Sequence, residues 1–257
     1  MSTPWQGAPG LALVRDPVSD DAAAELDRGI GLLREVAAGD RPPTLRLYRP
    51  SPTVAFGQRD ARLPGFGAAS DAVARHGFAP LVRRAGGRAA AYHGGCLVVD
   101  HIEPAPDAVA GTRARFAAFG NFFAGVLADV GVDAGVGEVP GEYCPGEFSV
   151  HGRHGGVPAV KLVGTAQRVV AGAWLFSSVI VVGDAAPLRA VLTDAYAALG
   201  LAWRPSTAGA VEDLAPGVGV DAVEETLLAA YAGVVGLSGG SRQARTFNGS
   251  TAASGLS

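Results

Sequence analysis

The first residue to suggest chemistry is Lys161. It is the one lysine in a 257-residue chain whose 21 basic residues are otherwise 20 arginines. Arginine can replace a solvated surface lysine at little cost. It cannot replace a compact ammonium on a flexible stem inside a site, because guanidinium is planar and larger. The same region holds Cys144, within Tyr143-Cys144-Pro145-Gly146-Glu147-Phe148-Ser149-Val150. Extended residues on either side of the Gly-rich stretch 151–156 read as a hairpin. With the turn centred between Arg153 and His154, Lys161 faces Gly146 and Cys144 faces Val163. Lys161 and Cys144 then become diagonal neighbours on one face, roughly 7–8 Å apart at the backbone. An ammonium beside a thiol favours the thiolate, which is the nucleophilic form, and it can also stabilise an oxyanion on an acyl carbonyl. These residues point to the handling of an activated acyl group. Cys96, flanked by Leu97 and Val98, instead reads as a small buried apolar residue.

The elements that must position this pair are read from hydrophobic periodicity. Ser19 to Val36 has the period of an amphipathic helix, with Leu26, Ile30 and Leu33 on one face and Ser19 or Asp20 as cap. Thr44–Tyr48, Thr53–Gly57, Ala79–Arg83 and Cys96–Ile102 read as strands, and Ser70–His76 as a short helix. Ala108–Val130, Ala185–Leu199 and Val220–Val235 read as helices, and Gly141–Val182 as a strand meander. Strands in hairpins with helices at the flanks give an α+β domain, not a doubly wound one. Residues 1–18 read as an N-terminal extension, 19–236 as the catalytic domain and 237–257 as a polar, disordered tail.

Composition narrows the function classes. Charged residues make up 18% and the net charge is −3, so the basic footprint of a nucleic-acid binder is missing. No apolar run reaches 18 residues, and the N-terminus has no secretory pattern. Two cysteines do not make a disulfide framework. These features place the chain in the cytoplasm, off the membrane and with free thiols. The cysteines and histidines do not stand at zinc-ligand spacing, so no metal site is expected. His151 and His154 read as solvated residues at a hairpin tip, and Asp100 and Glu142 as surface acids.

Lys161-Leu162-Val163-Gly164-Thr165-Ala166-Gln167-Arg168 resembles the lysine motif of the lipoate/octanoate branch of the biotin and lipoate protein ligase family. Tyr143-Cys144-Pro145-Gly146 is similar to the cysteine motif of its octanoyl- and lipoyl-amidotransferases. Arg83-Arg84-Ala85-Gly86-Gly87-Arg88-Ala89-Ala90-Ala91-Tyr92-His93 resembles the family's Arg-Arg-x-x-Gly-Gly-Gly signature, with Arg88 and Ala89 where members carry Gly-Gly. The resemblance implies a mixed, mostly antiparallel sheet packed by helices. It implies transfer of an octanoyl or lipoyl group through a Cys144 thioester to a lysine of a lipoyl domain or a glycine-cleavage H protein. Lys161 would polarise the carbonyl, and no cofactor would be needed. Arg84, Gly86, Gly87, His93, Gly164, Thr165 and Ala166 would form the substrate pocket, and the long cation of Arg88 would narrow it or add an anion contact. Two alternatives stay open: a lipoate-protein ligase using ATP and Mg to form lipoyl-AMP, with the arginines around Gly86-Gly87 as a phosphate site, and a non-catalytic acyl or lipoyl-domain binder.

Overall fold

The computed structural model describes residues 10–153, 155 and 158–238. An eight-stranded sheet runs in the order β11-β1-β2-β6-β10-β9-β8-β7, and a three-stranded sheet in the order β4-β3-β5. The strands are β1 (Leu11–Arg15), β2 (Thr44–Tyr48), β3 (Thr53–Phe56), β4 (Ala79–Val82), β5 (Ala90–Tyr92), β6 (Cys96–Pro104), β7 (Asp133–Val136), β8 (Val150–Arg153), β9 (Val160–Val170), β10 (Ala173–Val181) and β11 (Leu237–Ser238). β1 is parallel to both β2 and β11, and β3 to β4; every other pairing is antiparallel. The mixed, mostly antiparallel α+β expectation matches this sheet.

Alternation along the central strands decides which helix covers which face. Trp174 and Phe176 pack with Phe119 and Phe123 of α3 (Thr112–Asp129) and Leu227 and Tyr231 of α6 (Val220–Ala232). Leu175, one residue out of phase, packs with Leu32, Leu33 and Val36 of α1 (Ala22–Ala38) on the opposite face. This is the period-two rule of a sheet covered on both sides. α1 is capped by the Asp21 carboxylate, which accepts the Ala24 N–H, and it ends at Gly39 in the left-handed region (φ 80°), as helix ends commonly do. A second cluster joins the small sheet to α2 (Phe66–Arg75) and α4 (Ala185–Leu199). A one-turn helix, α5 (Val211–Leu214), precedes α6.

Three expectations change. The stretch read as an N-terminal extension contributes β1 to the sheet, with Leu11 fully buried. Leu237 and Ser238, read as the start of the tail, form β11; residues 239–257 lie outside the described residues, as do 1–9 and His154. The hairpin register also shifts. Lys161 pairs with His151, not Gly146, and Val163 pairs with Val150 across an irregularity. β8 begins only at Val150, so Cys144 lies in a loop. β8 accompanies β9 from Val160 to Val163, and beyond that β9 keeps β10 alone as its sheet neighbour.

Candidate active site

The loop between β7 and β8 carries Cys144, one of two non-glycine residues in the described chain with positive φ (42°). Few L-residues accept this region without support from their surroundings. Support comes from three sides. The Cys144 N–H donates to the Tyr196 hydroxyl at 2.7 Å, and that hydroxyl donates to the Ala89 carbonyl at 2.9 Å. Tyr196, on α4, therefore staples the cysteine loop to the glycine segment. From the other side, the Lys161 ammonium donates to the carbonyls of Tyr143 at 3.0 Å and Cys144 at 2.8 Å. At the side-chain end, the sulfur accepts from the Arg88 N–H at 3.2 Å and from Arg83 Nη2 at 3.5 Å.

Lys161 is 2% exposed. Its Nζ lies 3.4 Å from Glu142 Oε2 and 4.8 Å from the centre of the Tyr143 ring. The other Glu142 oxygen accepts from the Gly146 N–H at 3.0 Å and the Ser149 hydroxyl at 2.7 Å. Burial pushes the lysine pKa down and the glutamate pKa up, and in each case the partner's charge acts against that shift. Both shifts express the same cost, that of keeping two charges out of water. The sequence placed Lys161 against Cys144 through strand register. The structure brings them together through the loop backbone, with the ammonium on carbonyl oxygens.

A cavity of about 650 Å³ opens beside this loop, along the part of β9 that β8 leaves uncovered. Cys144, Lys161, Gly86, Gly87, Gly164, Thr165 and Ala166 all line it. Its walls are largely apolar: Phe116 from α3, Phe148 from the cysteine loop, and Val169 and Val179 from the sheet. The size suits a small-molecule or acyl-chain site. Gly87 makes the close approach possible. It has φ 102°, and a Cβ there would stand 2.8 Å from the Cys144 sulfur and strike the Arg83 guanidinium. A Cβ on Gly57, at the end of β3, would strike the Gly87 carbonyl oxygen. Backbone packs on backbone here, which only glycine allows.

Two expected pocket residues lie elsewhere. His93 closes the turn before β6, with Nδ1 accepting the Gly95 N–H and Nε2 2.9 Å from the Asp184 carbonyl, and it does not line the cavity. Arg84 is exposed in a neighbouring depression. Arg88 does not narrow the pocket, because its guanidinium turns to the fully buried Asp60 at 2.9 Å and its backbone N–H meets the sulfur. His151 sits within β8, half-buried, where burial lowers its pKa. Asp100 and Glu142 are buried, Asp100 in an ion pair with Arg46. A carboxylate two residues before the cysteine was the available signal for Glu142. Tyr196, 52 residues away from Cys144, gave none.

The model of the lipoyl protein ligase A/B catalytic domain matches residues 21–232. The chain belongs to this family. Among its relatives, an octanoyl-[GcvH]:protein N-octanoyltransferase of Geobacillus kaustophilus is 27% identical over 169 residues, covering 66% of this chain and 58% of that protein. The enzyme of the same name from Exiguobacterium sibiricum is 31% identical over 150 residues, covering 57% and 52%. The chain thus matches a little over half the length of these relatives. Among solved structures, a bi-partite lipoate protein ligase from Thermoplasma acidophilum, studied with its E2 lipoyl domain, superposes with a TM-score of 0.62. It is 21% identical, covering 90% of this chain and 85% of that one, and it establishes a shared fold. Among the described residues, no group of three His, Cys, Asp or Glu side chains is placed to hold a metal ion, and no helix is long and apolar enough to cross a membrane.

Proposed function

We propose that this lipoyl ligase-family chain transfers an octanoyl or lipoyl group from a donor protein to the lysine of a lipoyl domain or H protein through a thioester on Cys144. One observation carries the reading: Cys144, whose sulfur is held by two N–H donors, lines an apolar cavity whose wall also presents the buried Lys161. In the first step the sulfur attacks the acyl carbonyl and the thiol proton ends on the departing donor group. In the second, the acceptor's amine attacks the thioester, the amide forms and the thiol is regenerated. The net result is acyl exchange between two nucleophiles, with no cofactor consumed. Both steps suit a reducing cytoplasm, where the thiol stays free.

Lys161 holds the cysteine loop by its two carbonyl bonds. Its ammonium donates to the Tyr143 and Cys144 carbonyls and lies 3.4 Å from the Glu142 carboxylate, so one of its three N–H groups is not committed to a carbonyl and can turn to an acyl oxygen. The relatives named as acting on GcvH support this choice of protein substrates. The test is transfer from octanoylated H protein to an unmodified lipoyl domain, with and without ATP. ATP-independent transfer lost in Cys144→Ser is the expected result. Strictly ATP-dependent lipoylation that survives Cys144→Ala would replace this reading with the lipoyl-AMP ligase. Acyl binding without turnover would reduce the chain to a binder.

A further inference from the structure

The cation nearest the Cys144 sulfur by hydrogen bonding is Arg83, not the family's lysine. Lys161 spends its donors on two carbonyls and is paired with the Glu142 carboxylate. Arg83 has no carboxylate partner among the described residues. Its Nη2 bonds the Arg88 carbonyl at 2.8 Å and the sulfur at 3.5 Å, and its Nε is buried with no partner. The Arg83 backbone is held in turn by Gln58, whose side-chain amide donates to the Arg83 carbonyl at 2.9 Å. The Arg88 N–H completes a two-donor cradle for the sulfur at 3.2 Å. Side-chain-free Gly87 between them lets thiol, guanidinium and amide meet.

Accepting the thioester reading, we infer that Arg83, with the Arg88 amide, is the catalytic group that stabilises the Cys144 sulfur as an anion, both when it attacks and when it leaves. A guanidinium suits the task because it stays protonated and offers a rigid fork of donors. As the sulfur–carbon bond forms, negative charge moves from sulfur to the acyl oxygen. The electron pair returns as the bond to the departing group breaks, and the proton released by the thiol ends on that group. Arg83 neither gives nor takes a proton in either step.

The experiment needs no acyl donor. Alkylation of Cys144 by iodoacetamide at pH 7 is followed by intact mass, for which the fully buried Cys96 is a silent internal control. Arg83→Gln is expected to slow alkylation about tenfold, the effect of about 1.4 kcal/mol of lost charge stabilisation, and Arg83→Lys to restore most of the rate. Lys161→Met is expected to change it less than Arg83→Gln does. Thermal melting reports whether each variant is folded. Should Arg83→Gln fail to fold, Arg83→Ala assayed with added guanidinium replaces it, with rate rescue as the expected result. Wild-type alkylation in a folded Arg83→Gln, or no rescue of Arg83→Ala, would overturn the assignment. Acyl adduct formation is scored separately. Arg83-independent alkylation with an intact adduct rejects this inference alone, and Arg83-dependent alkylation without an adduct rejects the thioester reading alone.

Discussion

Two cysteines of one chain occupy opposite environments. Cys96 starts β6 at zero exposure among Val54, Ala91 and Val181, and burial pushes its thiol up to about 12. Cys144 sits on a loop with positive φ, receives an N–H and a guanidinium at sulfur, and lines a cavity. The difference is one of secondary structure before it is one of electrostatics. A strand interior spends every backbone donor on its neighbours and surrounds the side chain with apolar atoms. A turn leaves an N–H, here that of Arg88, free to point at sulfur. A thiol that meets polar donors in this fold needs the loop, and the loop needs partners that hold it against its own backbone preference.

The largest expected effect comes from exchanging the cysteines' roles. Cys144→Ser should lower acyl transfer by more than about a thousandfold, as removal of a nucleophile does. Cys96→Ala should leave transfer within a few-fold of wild type. A variant pair with the opposite ranking would break the comparison.

The loop supports come next. Glu142→Gln leaves the Lys161 ammonium buried beside a neutral amide, which should cost about 3–5 kcal/mol in a denaturant titration. The double variant Glu142→Gln/Lys161→Met should cost less than the two single losses summed, because neither charge is then left alone. Tyr196→Phe orphans the Cys144 N–H and the Ala89 carbonyl together, for about 1–3 kcal/mol. It should also slow Cys144 alkylation while leaving Cys96 unreactive.

The last effect, confined to alkaline pH, is in pH dependence. The Cys96 pKa is raised in the folded state, so its contribution is fully present below the ordinary thiol value and is lost as pH climbs from 9 toward about 12. Across that window wild-type stability should fall by an extra amount of order 1 kcal/mol per pH unit. Cys96→Ala, though less stable at neutral pH, should lack that slope. An equal slope in both proteins would mean that Cys96 is not held protonated by burial.

Much of the frame was readable from residue order alone. Alternation in Thr44–Tyr48 and the helical period of Ala185–Leu199 give β2 and α4 at their observed bounds, because β2 alternates leucines with polar and aromatic residues between two buried faces and α4 buries one helical face, each with a single period. The lysine and cysteine were also legible, as was their meeting. The means of their meeting was not. Pro145-Gly146 interrupts what looked like one extended segment, so the true strand starts later and the register slips. Glu142 looked like a surface acid because its partner stands 19 positions ahead in another element. Arg83 meets the sulfur of a residue 61 positions away, and no spacing rule reaches that far. Local sequence located the cysteine and the lysine, and the groups that surround them are set by tertiary contacts.

The most direct test of the account is the intact mass of the wild-type protein and of Cys144→Ser after incubation with octanoylated H protein in the absence of ATP. The account predicts one added octanoyl group on the wild type, removable by a free thiol or by acceptor lipoyl domain, and no addition to Cys144→Ser. An unmodified wild-type protein in a preparation that still transfers octanoyl groups would contradict it.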